Sequence, residues 1–79
     1  MKEKMPLSEL PVGQWGRVVS LQKGDVSGYR LLDLGLVPGT AVQAVRRSPV
    51  GDPTAYHIRG ALIALRREEA ARVMVKPLA

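Results

Sequence analysis

The sequence predicts one small, mainly β domain: a five-stranded barrel with one or two short inserted helices. Three observations carry that prediction. The chain has 79 residues, enough for one domain and too few for a sandwich of about seven strands. Turn signals recur at short intervals: Pro11-Val12-Gly13, Lys23-Gly24-Asp25, Pro38-Gly39, Pro49-Val50-Gly51-Asp52-Pro53 and Arg59-Gly60. The runs between them are short and rich in valine, isoleucine, leucine and alanine, as closely spaced strands are. A hydrophobic share of 46% and a charged share of 24% are ordinary for a packed chain, so disorder is not expected. A chain of this length buries roughly 60–65% of its unfolded surface, which supports one core and leaves no room for a deep substrate cavity.

The first strand is expected over Trp15 to Leu21. Arg17, Val19 and Leu21 alternate there with Gly16, Val18 and Ser20, and alternation alone does not say which set faces inward. A short helix follows over Ser27 to Leu34, with Ser27 or Asp25 as its N-cap. Its end is well marked, because Gly35 occupies the place of a left-handed C′ residue and Pro38 forbids continuation. In that register Leu31 and Leu36 make the apolar contact of a Schellman cap. Tyr29 and Leu32 fall on one side of this helix, Leu31 and Leu34 on the other. One helix on a small barrel needs only one apolar stripe, so the second is either covered by a loop or offered to a partner.

A strand over Ala41 to Arg47 comes next, then a loop in which Pro49 and Pro53 exclude a central strand. Ala55 to Arg59 alternates again, Arg59-Gly60 reverses the chain, and Ala61 to Leu65 returns as an apolar strand. A single helical turn near Glu68 to Ala71 places both glutamates where the helix dipole favours them. The last strand is expected over Val73 to Val75.

The chain lacks cysteine, which removes disulfides, thiolate nucleophiles and cysteine-based zinc sites together. Its one histidine, His57, has no strand-Ser-helix elbow to work with, and Asp33, Glu68 and Glu69 are too few and too scattered for a metal site. Gly35-Leu36-Val37-Pro38-Gly39 follows a helix and has no Lys-Ser/Thr after it, so it is no phosphate cradle. No catalytic residue, metal ligand or cofactor is therefore expected, and function should rest on binding. Met1-Lys2-Glu3-Lys4-Met5-Pro6 leads into no apolar run, and the longest apolar stretch, Ala61 to Leu65, falls far short of the ~20 residues of a spanning helix. The expected compartment is the cytoplasm.

The net charge is +5, and between Thr40 and Arg67 five arginines face one acid, Asp52. Such a segment suits an acidic protein surface, anionic headgroups or nucleic acid. A small basic nucleic-acid-binding β-barrel is thus the alternative to a protein-binding module. With one Trp, two Tyr and no Phe, the chain is poor in the stacking platforms such barrels use, and nucleic acid is not the expected partner.

The run Tyr29-Arg30-Leu31-Leu32-Asp33-Leu34-Gly35-Leu36-Val37-Pro38-Gly39-Thr40 resembles the FeoA family of small cytosolic ferrous iron transport proteins. Leu7-Ser8-Glu9-Leu10-Pro11-Val12-Gly13, Arg59 to Arg66 and Val73-Met74-Val75 resemble its beginning, its second half and its end. The resemblance implies an SH3-like barrel, a form also found as the C-terminal domain of metal-dependent repressors. It further implies a non-enzymatic adaptor or regulator, peripheral to the membrane through its partner, a ferrous iron permease with a cytosolic GTP-binding domain. The family often has two basic residues before the helix leucines; here Tyr29 stands in the first place, leaving Arg30. The residues expected to bind the partner are Tyr29, Arg30, Leu31 and Leu34, with Arg46 and Arg47 as a basic flank. Unpaired edge strands also permit a homo-oligomer.

Overall fold

Six strands, two short α-helices and a 3₁₀ turn make up most of the molecule. The computed structural model describes residues 3–22 and 26–78, with the side chains of residues 26–29 outside that description. The strands are β1 (Met5–Pro6), β2 (Trp15–Leu21), β3 (Ala41–Arg47), β4 (Thr54–Ile58), β5 (Ala61–Leu65) and β6 (Val73–Leu78). Helix α1 spans Val26–Asp33 and α2 spans Arg67–Ala70, while Leu7–Glu9 forms the 3₁₀ turn. All strand pairs are antiparallel, in the order β1-β6-β2-β3-β4-β5.

The five strands expected from the sequence are present, and a sixth is added to them. Strand β1 has two residues, one of them Pro6, too few to show alternation, and it forms because Met5 and Pro6 lie opposite Val75 and Met74 of β6. Strand β6 runs on to Leu78 because its pairing with β2 continues through Lys76, Pro77 and Leu78. Helix α1 begins at Val26, so Ser27 is a helical residue and not the N-cap, and Asp25 lies outside the described residues.

Register decides what the alternation of β2 left open. Gly16 lies opposite Val42, and Val18 opposite Val75. Gly16 and Val18 are buried, so their side of β2 faces the core. A bulge between Val18 and Ser20 then shifts the register, which lets Leu21 pack against the core as well. A second bulge lies between Ala44 and Arg46 of β3. Bulges bend strands and strengthen their twist, and here they help one sheet face enclose a single core. Among the described residues no pairing joins β1 to β5, so both strands are edges.

Leu7 and Leu10 of the 3₁₀ segment, Leu31 and Leu36 around the end of α1, and Ala70 of α2 are fully or almost fully buried against that sheet face. Tyr56, in the middle of β4, is the largest buried side chain among the described residues. Trp15 lies on the outer face instead, partly exposed.

Candidate interaction surface

The end of α1 is held by the motif its sequence announces. The Gly35 amide donates to Leu32 O at 2.9 Å and the Leu36 amide to Leu31 O at 3.2 Å, the paired hydrogen bonds of a Schellman cap. Gly35 has φ +99°, open to glycine and strained for other residues. Leu31 and Leu36 are both fully buried. The Arg59 side chain lies across Gly35, so a Cβ at Gly35 would collide with Arg59 Cδ. Arg59 itself has φ +51°, and Gly60 +85°, the two positive values of a two-residue hairpin turn joining β4 to β5.

Helix α2 is anchored by two carboxylates. Its N-cap, Arg66, offers no acceptor side chain. Glu69 accepts from the Arg66 amide at 3.0 Å, and Asp52 reaches over from the β3–β4 loop to accept from the Arg67 amide at 2.9 Å. The Asp52 contact joins positions far apart in sequence and has no local signature. The other oxygen of Glu69 pairs with the Arg30 guanidinium, tying α2 to α1. Beside that pair lies an open depression of about 640 Å³ lined by Arg30, Pro53, Ala64, Arg66, Glu68, Glu69 and Arg72.

The residues expected to bind a partner do not form one surface. Leu31 is fully buried; its carbonyl and side chain complete the helix cap and the core, which removes it from the accessible set. Leu34 is partly buried and packs against the core, so it presents only an edge. The Tyr29 side chain is outside the described residues. Arg30 is half exposed at the α1–α2 junction. Arg46 and Arg47 are adjacent in sequence but point to opposite sides of the pleated β3. Arg47 donates from Nε to Thr54 Oγ1 at 3.4 Å and lines a smaller depression of about 240 Å³ with Arg67, Ser8, Glu9, Gly51, Thr54 and Tyr56. Arg46 lies opposite Ala55, on the outer face.

That outer face carries residues the sequence reading did not join. Trp15 and His57 meet edge to face, with ring centroids 5.8 Å apart, although one belongs to β2 and the other to β4. Gln43 of β3 lies between them, opposite both. On the inner face, burial pushes the Tyr56 phenol above its ordinary range, an effect partly offset by its hydrogen bond with Thr54 and by the nearby Arg47 charge. Among the described residues no group of three His, Cys, Asp or Glu side chains is arranged to hold a metal ion, and no helix is long and apolar enough to cross a membrane.

Residues 5–77 match the family model described as the FeoA domain. A curated relative, the Fe(2+) transport protein A/Fe(2+) transporter FeoB fusion protein of Porphyromonas gingivalis, is 36% identical over 72 residues. The match takes in 91% of this chain and only 8% of that protein. Among solved structures, FeoA from Chlorobium tepidum is 40% identical with a TM-score of 0.86, over 95% of this chain and 71% of the other. The zinc complex of Stenotrophomonas maltophilia FeoA, described as a procaryotic SH3 domain protein, is 38% identical with a TM-score of 0.80, over 95% of this chain and 88% of the other. The mainly β, SH3-like architecture expected from the sequence is thus shared with these structures.

Proposed function

Because this chain belongs to the FeoA domain family, we propose that it is a non-enzymatic adaptor of ferrous iron transport. On this reading it binds the cytosolic part of the ferrous iron permease and modulates Fe(II) uptake. The observation that carries the reading is the Porphyromonas gingivalis relative, in which a related domain and a ferrous iron transporter share one polypeptide. Covalent linkage holds two modules at high effective concentration, and separate chains that do the same work need a docking surface in its place.

The α1–α2 junction supplies a surface suited to that role. Arg30 is half exposed, and Arg66 is exposed on the same depression. Charged groups at an interface contribute chiefly to encounter rate and partner choice, which suits a regulator that comes and goes. Arg46 and Arg47, on different sides of β3, cannot both flank one small contact.

The test is binding of the purified chain to the full-length permease in lipid nanodiscs, followed by biolayer interferometry. Saturable binding is expected, with Arg30→Ala weakening it by about 5- to 30-fold, the range of losing roughly 1–2 kcal/mol of interface energy. Absence of binding at concentrations up to about 100 μM, where even a weak contact of roughly −5.5 kcal/mol would register, overturns the reading.

A further inference from the structure

The outer face of the sheet carries a row of side chains in direct cross-strand register: Leu78, Trp15, Gln43, His57 and Leu62, one from each of β6, β2, β3, β4 and β5. Directly opposed residues share a face and lie close enough to touch, so the row is continuous. It is also open to solvent where it is most apolar. Trp15 is 37% exposed, Leu78 41% and Leu62 58%, and an exposed tryptophan flanked by exposed leucines marks a contact surface more often than chance.

The charged strand residues beside this row have one sign. Arg17 and Lys76 lie opposite each other, two residues along from Trp15 and Leu78, and so share their side of the sheet. Arg46 stands on the other flank, opposite Ala55 and next in line to His57. No strand residue carries a carboxylate; Glu3, Glu9, Asp33, Asp52, Glu68 and Glu69 all lie outside the strands. A second copy of the same face would bring like charges together. A nucleic acid strand would need successive stacking rings, and the row offers one aromatic pair whose rings already meet at 74°.

From this geometry we infer that the Trp15–His57–Leu62 face docks an acidic segment of a partner protein that also carries apolar side chains. The apolar side chains seat on Trp15, Leu62 and Leu78, and the acidic groups lie toward Arg17, Lys76 and Arg46. The surface is separate from the α1–α2 junction and does not depend on which protein supplies the segment.

Trp15 is the only tryptophan, so its emission reports on this face directly. The probe is a synthetic peptide of alternating glutamate and leucine, compared with polyglutamate, a single-stranded oligonucleotide and phosphatidylserine vesicles. The glutamate-leucine peptide is expected to move Trp15 emission to the blue in a saturable way. Leu62→Glu should weaken it by at least about tenfold, which corresponds to roughly 1.4 kcal/mol. Arg46→Glu should weaken it several-fold with an unchanged far-ultraviolet circular dichroism spectrum, and serves as the second variant if Leu62→Glu perturbs the fold. Arg30→Ala should leave it as it was, which separates this face from the permease-docking reading. No saturable response, equal affinity for polyglutamate, a response to the oligonucleotide or vesicles but not to the peptide, or parental affinity in both face variants would each overturn the inference.

Discussion

At the scale of single residues, Gly35 is the position where conformation and contact coincide. Its φ of +99° lets the chain leave α1 through paired hydrogen bonds, and its missing Cβ leaves room for the Arg59 stem. Gly35→Ala should therefore cost more than a left-handed residue alone, which is about 1–2 kcal/mol. The excess belongs to Arg59, whose Cδ the new methyl would meet. In an Arg59→Ala background the excess should vanish and leave the backbone term, a double-mutant cycle readable by urea denaturation. Equal costs in both backgrounds would mean that Arg59 swings away freely. This residue was half legible in sequence: the Gly35-Leu36-Val37-Pro38 pattern announces the cap, but the contact with Arg59, 24 positions away, is created by folding.

At the scale of elements, α2 shows how a four-residue helix persists when its own sequence supplies a poor cap. Isolated helices this short do not form in water. Ala70 is buried in the core, and two N-terminal amides are satisfied by Glu69 and Asp52. Asp52→Ala removes the acceptor for the Arg67 amide and should destabilise the domain by about 1 kcal/mol, the usual loss for an N-cap, seen as a lower denaturation midpoint with an unchanged slope. Asp52→Asn keeps an acceptor and should recover most of the loss. The element itself was legible from its glutamates; its anchor was not, because Asp52 reads as a turn residue in any local window. The same limit explains Leu31 and Leu34. Helical spacing places them on one stripe, and only the assembled core, which takes in Leu31 and has Leu34 packed against it, decides that the stripe faces inward. It explains Arg46 and Arg47 as well: the pleat sends the two to opposite sides, and the bulge just before Arg46 decides which of them faces outward.

At the scale of the whole molecule, five of the six strands and their order of appearance were legible, because turn residues and short apolar runs mark them one by one. The register was not, and the Trp15–His57 contact, made across an intervening strand, follows from register alone. Among the described residues, Tyr56 is a core side chain that titrates. Burial raises the Tyr56 pKa, so the folded state holds the neutral phenol more firmly than the unfolded chain, whose tyrosine titrates near 10. That contribution is complete below about pH 10 and is lost as the pH rises through the higher folded value. The melting temperature should therefore fall above that pH, and Tyr56→Phe should flatten the part of the fall that Tyr56 causes. Parallel curves for parent and variant would place the alkaline sensitivity elsewhere.

The pairing of β1 with β6 has a topological consequence. Met5 lies opposite Val75 in an antiparallel ladder, so the backbone entering at Glu3 and the backbone departing at Leu78 pass through the same rim of the molecule. A tether grafted to either end pulls from one direction, and a carrier joined ahead of the domain or behind it would present both the Arg30 junction and the tryptophan face at similar bearings. Gene fusions in either order are thus mechanically equivalent for this architecture.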